Sequence, residues 1–322
     1  MSEETANETA NLSESGGWRD VGPGEALFWI AGYAVIQFAV VCLVLALIAF
    51  SALGLSSLSP QRMLDLFMAI ELDRSFLVIG ASTLGSVLVL VPLVRWRLGP
   101  EWRFRIGLTS MRRQDGLLIA GAVVPLAILS NELYRWSQAW FGLAVDTNQH
   151  VQALATGVSY PILVMAIALG PALGEELVFR GLIGQGMVRR WGTVGGVLAT
   201  TVLFGLMHMP PAHALATLPI GLFLHGVYLQ TRTLWVPILL HFLNNLLVVT
   251  LAHFQHQGLP TSPVLLATAF ACLTSLAWRM GTHHDSDGPT LTGPFCRQWQ
   301  RAYEGCSFLG YTAAFVWSAG AR

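Results

Sequence analysis

The chain has 322 residues, of which 54% are hydrophobic and only 11% charged, with a mean hydropathy of +0.57. Soluble domains carry about 25% charged residues, so the composition excludes a soluble globular protein and points to an all-α, polytopic membrane bundle. The formal net charge is zero and all 18 basic residues are arginine, so a nucleic-acid partner has no support.

Residues 1–24 are rich in Glu, Asn, Ser, Thr and Gly and read as a disordered tail rather than a cleavable signal. Residues 26–53 are long enough to span a bilayer with tilt. Residues 56–74 read as a loop with a short amphipathic helix near 63–72, and 76–94 as a second span. The densest basic loop follows, with Arg95, Arg97, Arg103, Arg105, Arg112 and Arg113. Residues 116–130 form a third, shorter apolar run. Residues 131–157, with Glu132, Tyr134, Arg135, Trp136, Trp140 and Asp146, read as an interfacial loop.

A fourth span covers 160–187 and ends at Arg189-Arg190. A fifth, 193–208, is stopped by Pro210-Pro211. The sixth, seventh and eighth cover 214–229, 234–252 and 263–278. The positive-inside rule places the basic loop in the cytoplasm. With two spans before it, both termini are then cytoplasmic. Arg189-Arg190, Arg232 and Arg279 fall on the same side.

The fourth span is unusual because it contains Gly174-Glu175-Glu176-Leu177-Val178-Phe179-Arg180. Charges inside a membrane cost roughly 2.5–3.5 kcal/mol each on insertion scales, so they must be paired or used. Glu176 and Arg180 are four apart, share a helix face and can pair, forming a brace. Glu175 lies about 100° round the helix and is the carboxylate left for chemistry. His208 ends the fifth span. His241 and Asn245 share one face of the seventh. If these three helices adjoin, the polar faces converge on a wet intramembrane cavity. Each residue also has a bland reading: a structural ion pair for Glu176 and Arg180, an interfacial His208, an interhelical hydrogen bond for Asn245. His225 has no motif partner and reads as structural; His213 is a spare polar group near the proline bend.

Depth is a difficulty. At about 1.5 Å per residue, Glu175 lies ~21 Å from the Arg189 end of its span, and His241 only ~10 Å from the 234 end of its own. They meet only if the seventh span begins deeper or the helices tilt.

Three motifs carry a family resemblance. EExxxR is Glu175-Glu176-Leu177-Val178-Phe179-Arg180, FxxxH is Phe204-Gly205-Leu206-Met207-His208, and HxxxN is His241-Phe242-Leu243-Asn244-Asn245. In order and spacing they resemble the CPBP family of intramembrane proteases, which includes the CAAX prenyl protease Rce1-type enzymes and bacterial Abi-type proteins. The chain then divides into a tail (1–24), N-terminal spans with the basic loop (25–114), a CPBP-like catalytic core (115–280) and a C-terminal tail (281–322).

The resemblance implies hydrolysis of a peptide bond, within or beside the membrane, of a membrane-associated, CAAX-like substrate; the lack of a targeting signal fits a bacterial plasma membrane. Glu175 would be the general base and His208 would help hold the attacking water. His241 and Asn245 would polarise the scissile carbonyl or stabilise its oxyanion, with Glu176 and Arg180 behind them. No cofactor is required by this scheme. A zinc version is also open, with Glu175, His208 and His241 as ligands and one position left for water, although HExxH is absent. Two other roles compete: a non-catalytic immunity or scaffold protein on the same fold, and a proton-coupled transporter, which predicts repeated halves that the sequence does not show.

Overall fold

The computed structural model describes residues 21–53, 59, 61, 72–141, 158–254 and 262–282, and their regular structure is entirely helical. Four helices come first: α1 (Pro23–Leu53), α2 (Leu72–Leu98), the short α3 (Trp102–Arg105) and α4 (Arg113–Phe141). A long helical stretch, Tyr160–Leu206, follows. It comprises α5 (160–191) and α6 (193–206). The chain continues through α7 (Pro211–Thr231), α8 (Trp235–His253) and α9 (Pro263–Thr282).

Six helical stretches among the described residues are long and apolar enough to cross a membrane. One of them is 47 residues long, about 70 Å as a single rod at 1.5 Å per residue, far more than a ~30 Å hydrocarbon layer needs. It is instead a hairpin. At Gly192 the backbone takes φ 73° and ψ 173°, a region almost confined to glycine. A Cβ on Gly196 would collide with the backbone of Val188, which a continuous helix would hold ~12 Å away. Further along, the Phe179 and Phe204 rings meet edge to face at 5.2 Å. The antiparallel pair α5–α6 therefore supplies two crossings. With α9, whose apolar part Pro263–Leu276 is shorter, the order matches the eight spans expected.

Helix α5 lies at the centre, packed against α1, α2 and α8, while α7 packs between α4 and α6 and α9 lies on α4. Helix α1 is peripheral. Leu27, Phe38, Leu43 and Leu47 are each more than half exposed, the face a membrane helix turns to lipid. Its inner stripe is Ala26, Trp29 and Tyr33, all buried at helical spacing. Arg97 of α2 grips Glu25 of α1 through Nε at 2.7 Å and Nη2 at 3.1 Å, and Trp29 Nε1 donates to the same carboxylate.

The structure corrects the reading of residues 131–157. Helix α4 runs on to Phe141. Its polar residues are partnered along and across the helix: Glu132 pairs with Arg135, and the buried Ser137 hydroxyl donates to the carbonyls of Tyr134 and Ala212. Polarity here marks contact with α7, not the end of the helix. Residues 142–157, the 62–71 stretch and both tails lie outside the described residues.

The basic loop is not a free strap. Its middle is drawn into the bundle, where Tyr228 Oη donates to the Ile106 carbonyl and Gln185 Nε2 to that of Arg105. Leu234 N donates to the Gly107 carbonyl at 2.7 Å. Gly107 sits at φ +72°, and a Cβ there would lie 2.8 Å from the Arg232 carbonyl oxygen. Helix α8 therefore begins at the level of Gly181 and Gln185, well inside the Arg189 end of α5. This removes the depth difficulty.

Replacing Gly192 with Ala isolates the backbone cost of the hairpin, because no atom lies within 4 Å of the added Cβ. The expected loss is about 1–3 kcal/mol, seen as a lower thermal midpoint of the purified protein in detergent.

Candidate active site

The chemistry-bearing residues gather where α5 leaves regular α-helical winding. Residues Val164–Leu169 and Leu177–Gly184 wind as π-helix, on either side of an α-helical Gly170–Glu176. π-Winding is rare and often falls at functional sites. It also changes which side chains align. An i→i+5 ladder brings residues five apart toward one face, which turns the Glu175 and Arg180 positions toward each other.

Glu176 is fully buried, and its Oε1 accepts two hydrogen bonds: from Arg180 Nη1 at 2.7 Å and from His241 Nδ1 at 2.8 Å. Arg180, also fully buried, donates from Nη2 to the Gly221 carbonyl of α7 at 2.9 Å and stacks over the Phe204 ring of α6 at 4.5 Å. One ion pair thus ties α5 to α6, α7 and α8. The pairing of Glu176 with Arg180 is as the spacing predicts; the direct bond between Glu176 and His241 is not.

Phe204 forms the floor between the histidines. Its ring lies 5.0 Å from His208 and 6.0 Å from His241, centroid to centroid. His208 Nδ1 is 2.9 Å from the Phe204 carbonyl. A carbonyl only accepts, so Nδ1 carries the proton and Nε2 is left with its lone pair when the ring is neutral. The same logic fixes His241, where Nδ1 donates to Glu176 and Nε2 is the outward nitrogen. His213 adds a second imidazole, 5.0 Å from His208.

Glu175 differs from its neighbour. It is only partly buried, and its Oε2 is enclosed without a hydrogen-bond partner. Asn245 donates from Nδ2 to the Ile167 carbonyl at 3.1 Å, which anchors α8 to the first π segment and leaves the second amide hydrogen available. The adjacent Asn244 is buried, with Oδ1 unpartnered. His225 is buried with neither ring nitrogen partnered.

Among the described residues no three His, Cys, Asp or Glu side chains gather in a group that could hold a metal ion. Sequence reasoning undervalued three residues. Phe204 stands in the sequence only as the first residue of FxxxH, with no role of its own. His213 looked incidental. Tyr33 carried no signal, because a lone tyrosine in an apolar helix is ordinary; its hydroxyl touches Gly174, beside Glu175.

Residues 157–247 match the family model described as Type II CAAX prenyl endopeptidase Rce1-like. That segment contains all three motifs. A protein of Bacillus subtilis (strain 168) named "Putative membrane peptidase YdiL" is 27% identical over 110 residues. The match covers 34% of this chain and 45% of that relative, less than half its length. No solved structure matches.

The buried cluster yields a stability test. Arg180→Ala leaves Glu176 with His241 as its one remaining donor and should lower stability by about 3–5 kcal/mol. The double variant Arg180→Met with Glu176→Gln removes both charges together and should recover part of that loss in thermal unfolding.

Proposed function

From a membrane bundle whose residues 157–247 are Rce1-like, we propose an intramembrane endopeptidase that uses Glu175 to activate water against a peptide bond of a CAAX-like, membrane-associated protein. The observation that carries the reading is the division of labour between adjacent carboxylates. Glu176 is sealed in the bundle and holds Arg180 and His241. Glu175 is partly exposed and is not tied to Arg180 or His241; one enclosed, unpartnered oxygen is common to both carboxylates, so exposure and freedom from the brace are what separate them.

In this scheme Glu175 takes a proton from the attacking water, which adds to the scissile carbonyl carbon. His208, with Nδ1 committed to the Phe204 carbonyl, offers Nε2 as an acceptor that orients the same water. The oxyanion receives the free amide hydrogen of Asn245. His241 joins it only as the imidazolium, since its Nδ1 proton already points at Glu176. The Glu176 carboxylate beside that ring offsets its positive charge. Glu175 then returns its proton to the leaving amine. The scheme routes no step through a metal and forms no acyl-enzyme. Donors aimed at a developing oxyanion contribute typically 10²–10³ in rate.

The relative's printed name, a membrane peptidase, and the CAAX endopeptidase description of the family both support the reaction class. The test is cleavage of a farnesylated CAAX peptide by the full-length protein in proteoliposomes. Glu175→Gln should abolish release of the terminal tripeptide, and Asn245→Ala should lower kcat by about 10²-fold. Unchanged cleavage by Glu175→Gln removes this mechanism. Proton uptake without cleavage would favour a transporter instead.

A further inference from the structure

Two enclosed polar atoms without a hydrogen-bond partner belong to the contact between α1 and α5 around Gly174. One is Glu175 Oε2. The other is Tyr33 Oη, on a side chain only 1% exposed. Tyr33 belongs to α1, far outside the Rce1-like segment. Its hydroxyl packs against Gly174, where even a methyl group would collide with it. Glycine at 174 is what lets the ring approach the α5 backbone at this point. The contact with Gly174 sets the phenol one residue from Glu175 along α5, and the Ser86 hydroxyl of α2 is the other polar group that interacts with it. The Ser86 hydroxyl is already directed to the Thr83 carbonyl at 2.7 Å.

A buried tyrosine hydroxyl normally finds a partner. An orphaned donor and an orphaned acceptor on adjoining segments, with no direct bond between them, are what a single bridging water can satisfy. The charged or titratable groups on the surrounding elements are Glu176 and Arg180 on α5, His208 after α6, whose Nδ1 is committed to the Phe204 carbonyl and whose Nε2 serves the attacking water, His241 on α8 and Tyr33 itself. Arg180 and His241 are both committed to Glu176. Tyr33 is then the group placed to donate toward Glu175.

We propose that Tyr33 is a positioning residue for Glu175: through one bridging water its hydroxyl holds Oε2 of the carboxylate, so that the other oxygen is presented to the hydrolytic water. Helix α1 is by this account a working part of the site and not only a lipid-facing cover. The inference rests on Glu175 being the base.

The experiment compares the full-length wild type with Tyr33→Phe and Glu175→Gln in proteoliposomes. Difference infrared spectra identify the Glu175 band by its loss in Glu175→Gln. Turnover is measured on a farnesylated CAAX peptide. The phenylalanine keeps the ring's packing and removes only the donor. The expected result is a shift of the Glu175 band, a roughly tenfold fall in kcat, the worth of one hydrogen bond, and an unchanged KM and thermal midpoint. An unmoved band overturns the proposal, even where Glu175→Gln is inactive. A shifted band with no cleavage by the wild type upholds the coupling of Tyr33 to Glu175 and removes the protease reading instead.

Discussion

One oxygen atom organises this bundle. Glu176 Oε1 accepts from Arg180 and from His241 in a space that neither water nor lipid reaches. A buried carboxylate is costly unless its donors are close and well directed. Here the donors come from its own helix and from α8, and Arg180 extends the tie to the Gly221 carbonyl and the Phe204 ring. Four helices are held in register by that requirement. The orientation of His241 follows from it, and so does the release of Glu175 from any structural duty.

The second constraint is vertical. A histidine seven residues into α8 would sit too shallow to meet the middle of α5 if both helices started at the same surface. The loop between α2 and α4 prevents this by folding inward and bonding to Gln185, Tyr228 and Leu234. Its polar backbone at membrane depth is tolerated because protein groups satisfy it. The arginines that suggested an ordinary cytoplasmic loop flank a segment that sets the depth of the site.

Much of this was legible in the sequence. Apolar lengths, proline stops and arginine-bearing ends gave the helix order, because each follows from local chemistry. The Glu176–Arg180 pair followed from spacing. The π-winding was not legible, since it depends on which carbonyls neighbouring helices can satisfy, as Asn245 does for Ile167. The bond from His241 to Glu176 and the approach of Tyr33 to Gly174 join residues more than 60 positions apart. No periodicity within one helix can report such contacts. The polar stretch after residue 130 misled for the opposite reason: side chains that look solvent-loving were bonded to α7.

The Gly192 turn bears on how such a chain can enter a bilayer. Because α5 and α6 are one reversed rod, Glu175, Glu176, Arg180, Phe204 and His208 arrive as a single unit during synthesis. The Glu176–Arg180 bond closes within α5 alone, one helical turn apart, so the two charges can neutralise each other before α8 exists to deliver His241. A sequence that must carry fixed charge across hydrocarbon thus brings the counter-ion along in the same helix, and the later helices dock onto a core already made tolerable to lipid.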